Sequence, residues 1–227
     1  MKPPEMSENE SERLQVLHAL EILDTDNEER FDRYTRIVKR ILDVPFALVS
    51  LVDTDRQWFK SRAGLDATET SREISFCGHT ILNDRPMIIS DTFEDDRFAD
   101  NPLVTSDPKI RFYAGAPIYA PSGHCLGTLC AIDRVPRQLS VADIQALTDL
   151  AMMVNREIAF EQMATIDELT QISNRRGFEM VARKVLDVST RQKLRSLLLF
   201  FDLNNFKPIN DNYGHSEGDR ALRIFAD

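Results

Sequence analysis

Two pairs of apolar runs, each joined by a turn only a few residues long, constrain this chain more than any other feature. PFALVSLVDT (Pro45 to Thr54) turns through Asp55-Arg56 into QWFKSRAG, and FYAGAPIYA turns through Pro121-Ser122-Gly123 into HCLGTLCAIDR. Runs rich in β-branched and aromatic residues suit a pleated surface, and turns this short join only antiparallel neighbours. PMIISD (Pro86 to Asp91) reads as a further strand and ISFCGHTILN (Ile74 to Asn83) as a short helix. DDRFADNPLVTSDP, with its two prolines, reads as a polar loop.

Helices are expected on both sides of this block. Leu14, Leu17, Leu20 and Leu23 recur at near-helical spacing, and Phe31, Tyr34, Val38, Ile41 and Leu42 line one face of a second helix after an N-cap at Asn27. Ser140 followed three residues later by Asp143 has the form of a capping box. Val141, Ile144, Leu147, Ala151, Val154 and Ile158 then step by three and four along a long helix running to about Met163. That stripe either packs on its own sheet or forms a seam shared with a second subunit, and the helix is long enough for both. The expected fold is therefore α+β: an antiparallel sheet flanked by helices, followed by a long connecting helix. Residues 1–12, rich in Ser, Glu and Pro, are expected to be a disordered lead-in.

Composition narrows the setting. With 37 acidic against 28 basic residues, the net charge of −9 argues against a nucleic-acid surface. LLLFF (Leu197 to Phe201) is far too short to span a membrane, and the polar N-terminus lacks the apolar core of a signal peptide. Three cysteines cannot all pair, which points to a reducing cytoplasm. Cys125 and Cys130, five apart on one strand, face opposite sides and are not expected to bond to each other.

The C-terminal quarter carries a different pattern. DELTQISNRRGFE (Asp167 to Glu179) and FDLNNFKPINDNYGHSEGDRAL (Phe201 to Leu222) are similar, in that order, to the opening and nucleotide-binding motifs of the GGDEF (diguanylate cyclase) family. An aspartate ending an apolar strand is well placed to hold a hard cation, with a nearby lysine meeting its phosphates. The resemblance implies that Asp202 is a magnesium ligand, helped by the carbonyl of Leu203. It also implies that Phe206 and Lys207 lie beside a GTP triphosphate and that Asn210 and Asp219 read the guanine edge. Asn204 replaces the family's second aspartate, which removes one negative charge beside the cation. The sequence stops at Asp227 before the family's Gly-Gly-Asp/Glu-Glu-Phe signature, so residues 166–227 are expected to be a truncated α/β portion, inactive as a cyclase by itself.

The longer part, with 13–139 as its core and 140–165 as its closing helix, resembles a GAF sensor domain. EERFDRYTRIVKRILDVPFALVSLVDTDRQWFKSRAG, REISFCGHTIL, RFADNPLV and IRFYAGAPIYAPSGHCLGTLCAIDR carry that resemblance. It implies a pocket for a small molecule of unknown identity. Trp58 and Phe59 alternate across one strand, and Phe112 and Tyr113 across another, so one of each pair can face a cleft, although core packing is the commoner outcome. Cys77 and His79 form a C-x-H pair, which as a metal site lacks the third and fourth ligands. These six residues are the candidate pocket lining.

The combined expectation is a cytoplasmic sensor of a cyclic di-GMP signalling protein, dimerising through its connecting helix and using GTP and magnesium in its complete form. The rival readings are a stand-alone, non-catalytic small-molecule module and a dimerising interaction protein.

Overall fold

The computed structural model describes residues 1–226, with side chains except at 161–164, 176, 180, 184 and 187; Asp227, the last residue of the expected GGDEF portion, and the side chain of Met163, the expected helix end, lie outside the described residues. The chain divides into two compact units, Met1–Ala159 and Phe160–Asp227.

In the first unit, α1 (Glu10–Ala19) and α2 (Glu29–Ile41) precede β1 (Phe46–Val52), β2 (Arg56–Ala63) and β3 (Glu69–Ser71). The five-residue helix α3 (Phe76–Thr80), β4 (Met87–Ile89) and the single turn α4 (Pro102–Thr105) follow. Then come β5 (Phe112–Tyr119), β6 (Cys125–Asp133) and the long helix α5 (Val141–Thr165), which starts in this unit and ends in the second. The six strands form one sheet in the order β3-β2-β1-β6-β5-β4, antiparallel throughout. Both expected hairpins are present, and the pairing of β1 with β6 joins them into a single sheet.

Side-chain alternation along the strands builds two cores, one on each face. On one face Ala47, Val49, Leu51, Trp58 and Phe112 cluster with Phe31, Tyr34 and Val38 of α2 and with Leu147, Ala151, Val154 and Ile158 of α5. On the other, Phe46, Leu48, Phe59, Tyr113 and Cys130 cluster with Phe76 and Cys77 of α3 and with Phe98, Val104 and Ile110. With both faces covered, β1 is buried at every residue.

The α5 stripe packs on its own sheet from Leu147 onward, whereas Val141, its expected first member, is 85% exposed. The capping box forms: Asp143 N donates to Ser140 Oγ at 3.2 Å, and Ser140 N donates to Asp143 Oδ2 at 2.9 Å. Ser140→Ala is therefore expected to lower stability by about 1 kcal/mol. A shift of the urea midpoint at constant m-value is the measurement that checks it.

Three expectations are corrected. Asn27 does not cap α2; Glu28 stands there, its carbonyl accepting from Phe31 N and Asp32 N while its carboxylate is held by Lys60 and Arg30. The first dozen residues are not a disordered lead-in. Lys2 N donates to Arg97 O, α1 already begins at Glu10, and the Glu10 carboxylate is drawn inward by two buried arginines, Arg13 and Arg72.

The third correction concerns the second unit, where α6 (Arg175–Gln192), α7 (Phe206–Tyr213) and α8 (His215–Ala226) are helical but LLLFF forms no strand. Leu197 and Phe200 are largely exposed. A strand must hand its N–H and C=O groups to a neighbour, and the only ladder contact described in this unit is the single bridge between Ile166 and Ser173. The polar residues of its opening motif instead shape local turns: Asp167 accepts from Thr170 N at 2.9 Å, and Asn174 caps α6 by accepting from Gly177 N at 3.1 Å.

Candidate functional site

A cavity of about 320 Å³ opens on the α3 side of the sheet. Phe46 and Leu48 of β1, Phe59 of β2, Tyr113 of β5 and Ile132 of β6 line it from the strands, and Phe76 and Cys77 line it from α3. Period-two alternation is what places Phe46 and Leu48 side by side on this face. Exposed Asp66, Asp107 and Arg134 give the lining a charged rim. Two polar side chains join the lining. Gln57 is buried and accepts a hydrogen bond from Ser75 Oγ, while the hydroxyl of half-buried Thr70 has no partner among the described residues. An apolar chamber of this size with one unpaired hydroxyl suits a compact, largely apolar molecule bearing a hydrogen-bonding group.

Helix α3 is fixed by its cap, Gly78 N donating to Ser75 Oγ at 2.8 Å, and by aromatic packing. Phe76 stacks on Phe98 with centroids 4.2 Å apart and on Tyr113 at 5.2 Å. Beneath it lies a buried polar cluster. Thr128 Oγ1 donates to Cys77 Sγ at 3.0 Å, the Tyr113 hydroxyl donates to the same sulfur at 3.4 Å, and Thr80 Oγ1 is 2.9 Å from that hydroxyl. Tyr113 reaches this position because Gly115, next on the same face, leaves the space empty. A Cβ there would stand 2.1 Å from the tyrosine oxygen.

Of the six residues expected to line a pocket, the structure brings together Phe59, Cys77 and Tyr113. Trp58 and Phe112 lie on the opposite face, in the core shared with the helices. His79 is directed elsewhere: its Nε2 is 3.0 Å from the carbonyl of Lys2, and burial lowers its pKa. It makes no metal pair with Cys77; among the described residues no group of three or more His, Cys, Asp or Glu is placed to hold a cation. Sequence reasoning missed Phe46, Leu48, Gln57, Thr70 and Phe76. The first two were available from strand alternation with Phe59 and Tyr113, whereas nothing local marks the orphaned Thr70.

In the second unit, Asp202 and Leu203 occupy the irregular segment before α7; Phe206 and Lys207 fall in the first turn of α7, and Asp219 lies in α8. Asn210, in α7, packs against α8 where Gly218 leaves room; a Cβ at Gly218 would meet Asn210 Oδ1 at 1.9 Å. That close approach brings Asn210 beside the turn that carries Asp219. The cation site fits less well. Asp202 is exposed, Asn204 is uncharged, and among the described residues no group of three or more His, Cys, Asp or Glu gathers around them.

A family model described as "GAF domain" matches residues 26–158, and one described as "Diguanylate cyclase, GGDEF domain" matches residues 164–227. The cyclic di-GMP phosphodiesterase PA2567 of Pseudomonas aeruginosa is 38% identical over 177 residues, covering 77% of this chain and 30% of that protein. The diguanylate cyclase DgcP of Escherichia coli is 30% identical over 141 residues, covering 56% of this chain and 41% of that protein. The chain thus spans less than half the length of either relative. Among solved structures, the GAF domain of an Acinetobacter phosphoenolpyruvate-protein phosphotransferase superposes with a TM-score of 0.52 at 16% identity, over 72% of this chain and 99% of that one.

Proposed function

We propose, for a chain that belongs to the GAF domain family and continues into the N-terminal part of a GGDEF domain, that it is the sensory region of a cyclic di-GMP signalling protein. In this reading the first unit binds a small effector in the cavity beneath α3. The observation that carries it is the apolar chamber with the unpaired Thr70 hydroxyl. Phe59, Cys77 and Tyr113 line the effector site, and α5, packed on the reverse face of the same sheet, relays occupancy towards the GGDEF part and pairs two copies. The effector must favour one helix arrangement over another, because equal binding to both shifts nothing. Asp202, Leu203, Phe206, Lys207, Asn210 and Asp219 contribute to GTP recognition once the rest of that site is supplied, with magnesium held in part by other residues. The free state of all three cysteines supports a cytoplasmic setting, and among the described residues no helix is long and apolar enough to cross a membrane.

The test is thermal denaturation against a panel of compact aromatic and heterocyclic molecules. A ligand present at a hundred times its dissociation constant stabilises by about 2.7 kcal/mol. Thr70→Val is expected to weaken such a ligand roughly five- to tenfold while leaving the unliganded melting temperature nearly unchanged. A ligand whose affinity ignores Thr70→Val and whose protection map lies away from α3 would remove the cavity from the sensing role.

A second reading is favoured by Asn204 and by the phosphodiesterase name of a relative matching 77% of the chain. Here the GGDEF part binds nucleotide without cyclising it and regulates cyclic di-GMP breakdown. Chromatography of the gene's full product incubated with GTP and magnesium, and separately with cyclic di-GMP, distinguishes synthesis from consumption.

A further inference from the structure

Two thiols beside the cavity form a pair whose chemistry the lining role of Cys77 does not use. Cys77 of α3 and Cys130 of β6 are free and almost wholly buried, and their sulfurs stand 4.0 Å apart although 53 residues separate them in sequence. Disulfide sulfurs lie about 2 Å apart, so closing the pair asks the two sulfurs for a combined travel of about 2 Å. One of them is carried by a helix of only five residues. Cys77 lines the cavity and Cys130 does not, so of the two thiol residues Cys77 is the one that borders the chamber.

The surroundings differentiate the two. Burial raises the pKa of Cys77, yet its contact with the Cys130 thiol and the hydrogen bonds it accepts from Thr128 and Tyr113 outweigh it and bring the thiol down to about 7. Cys130, through its bond to Cys77 and through burial, is pushed well above the ordinary thiol range. The third thiol, Cys125, is pushed up to about 12 by burial. A thiolate is the nucleophile in cysteine oxidation, and the hydroxyls of Thr128 and Tyr113 point at the sulfur where that charge resides.

We propose that Cys77 is a peroxide-reactive thiol and Cys130 its resolving partner, making the cavity a redox-responsive site. The Cys77 sulfur attacks one oxygen of hydrogen peroxide. The O–O bond breaks, and the departing hydroxide takes the thiol proton and leaves as water, giving the sulfenic acid. The Cys130 sulfur then attacks the Cys77 sulfur. The S–O bond breaks, and the leaving hydroxide takes the Cys130 proton as a second water. Two thiols lose two electrons in all, and one peroxide gains them. The disulfide draws α3 towards β6 and removes a polar group from the chamber wall, so oxidation regulates what the cavity holds. This inference rests on the cavity of the proposed function as the route for the oxidant, but not on the identity of any effector.

Peptide mapping without reduction, after treating the full chain with hydrogen peroxide, is the test. The expected result is a linked Cys77–Cys130 peptide with Cys125 still reduced, and loss of the Cys77 thiol roughly tenfold or more faster than that of Cys125. In Cys130→Ala, or in Cys130→Ser should the alanine variant melt early, dimedone is expected to label Cys77 as the stranded sulfenic acid. Oxidation of Cys125 ahead of Cys77, or a folded Cys130 variant whose Cys77 takes no dimedone, overturns the proposal. A small molecule that still raises the melting temperature of the reduced protein would then leave the cavity reading standing.

Discussion

Replacing Glu10 by glutamine is expected to lower the stability of the first unit by about 3 kcal/mol at pH 7. Glu10 is the carboxylate between two buried guanidinium groups, accepting from Arg13 Nη2 at 2.6 Å and from Arg72 Nη1 at 2.6 Å. Arg13 and Arg72 are 2% and 3% exposed, and Arg13 Nη1, Arg72 Nε and Arg72 Nη2 have no hydrogen-bond partner among the described residues. Arg72 Nη1 also donates to the carbonyl of Asp53 at 2.9 Å, but a neutral carbonyl does not replace the lost charge. Burial raises the Glu10 pKa, but the two arginines more than reverse it and bring it from 4.5 down to about 2. A carboxylate depressed in this way stabilises fully above pH 4.5, and its contribution drains away as the pH falls through that value towards 2. The gap between wild type and Glu10→Gln should thus be widest near neutrality and close by about pH 2. The single tryptophan, Trp58, sits in the helix-side core and reports unfolding of this unit by fluorescence. Equal denaturation midpoints at pH 7 would show that the pair contributes nothing.

Gly115→Ala is expected to cost about 3 kcal/mol or more through overpacking and a stranded hydroxyl. The added methyl would lie 2.1 Å from the Tyr113 oxygen and 2.6 Å from the ring carbon that bears it. Tyr113 is 0% exposed and stacked under Phe76, so the ring has nowhere to go without breaking its bonds to Cys77 and Thr80. A double-mutant cycle isolates the clash. Gly115→Ala should be far less damaging in a Tyr113→Ala background than in the wild type. Simple additivity would mean that the backbone of β5, rather than the tyrosine, sets the requirement for glycine.

What was legible in the sequence is what local forces determine. The hairpins follow from alternation and tight turns, and the start of α5 from Ser140 and Asp143. The alternation of Trp58 with Phe59 and of Phe112 with Tyr113 foretold opposite faces, but not which face would be hollow, because that depends on where α3 and α4 settle. Strand β3, Glu-Thr-Ser, carries no apolar residue to announce it. LLLFF has every intrinsic reason to be a strand and is not one, since pairing depends on a neighbour that propensity cannot supply. Lys60, which nothing in the run QWFKSRAG singles out, has its ammonium fully buried against Glu28 and Thr25. The cysteines teach the same lesson: Cys125 and Cys130, expected on opposite sides of one strand, both pack on the α3 side because a bulge after Cys125 resets the alternation, and the partner that matters for Cys130 arrives from a helix 53 residues away.

Tyr113 and Phe112 are consecutive residues on β5, yet one faces the cavity and the other faces the helices. The wall between the chamber and the layer of α5 is therefore a single peptide unit thick. A push on the tyrosine ring needs no chain of intermediates to reach the layer where α5 lies, because the strand that feels it is also the floor beneath that helix. The two layers, far apart in their contents, share one strand between them.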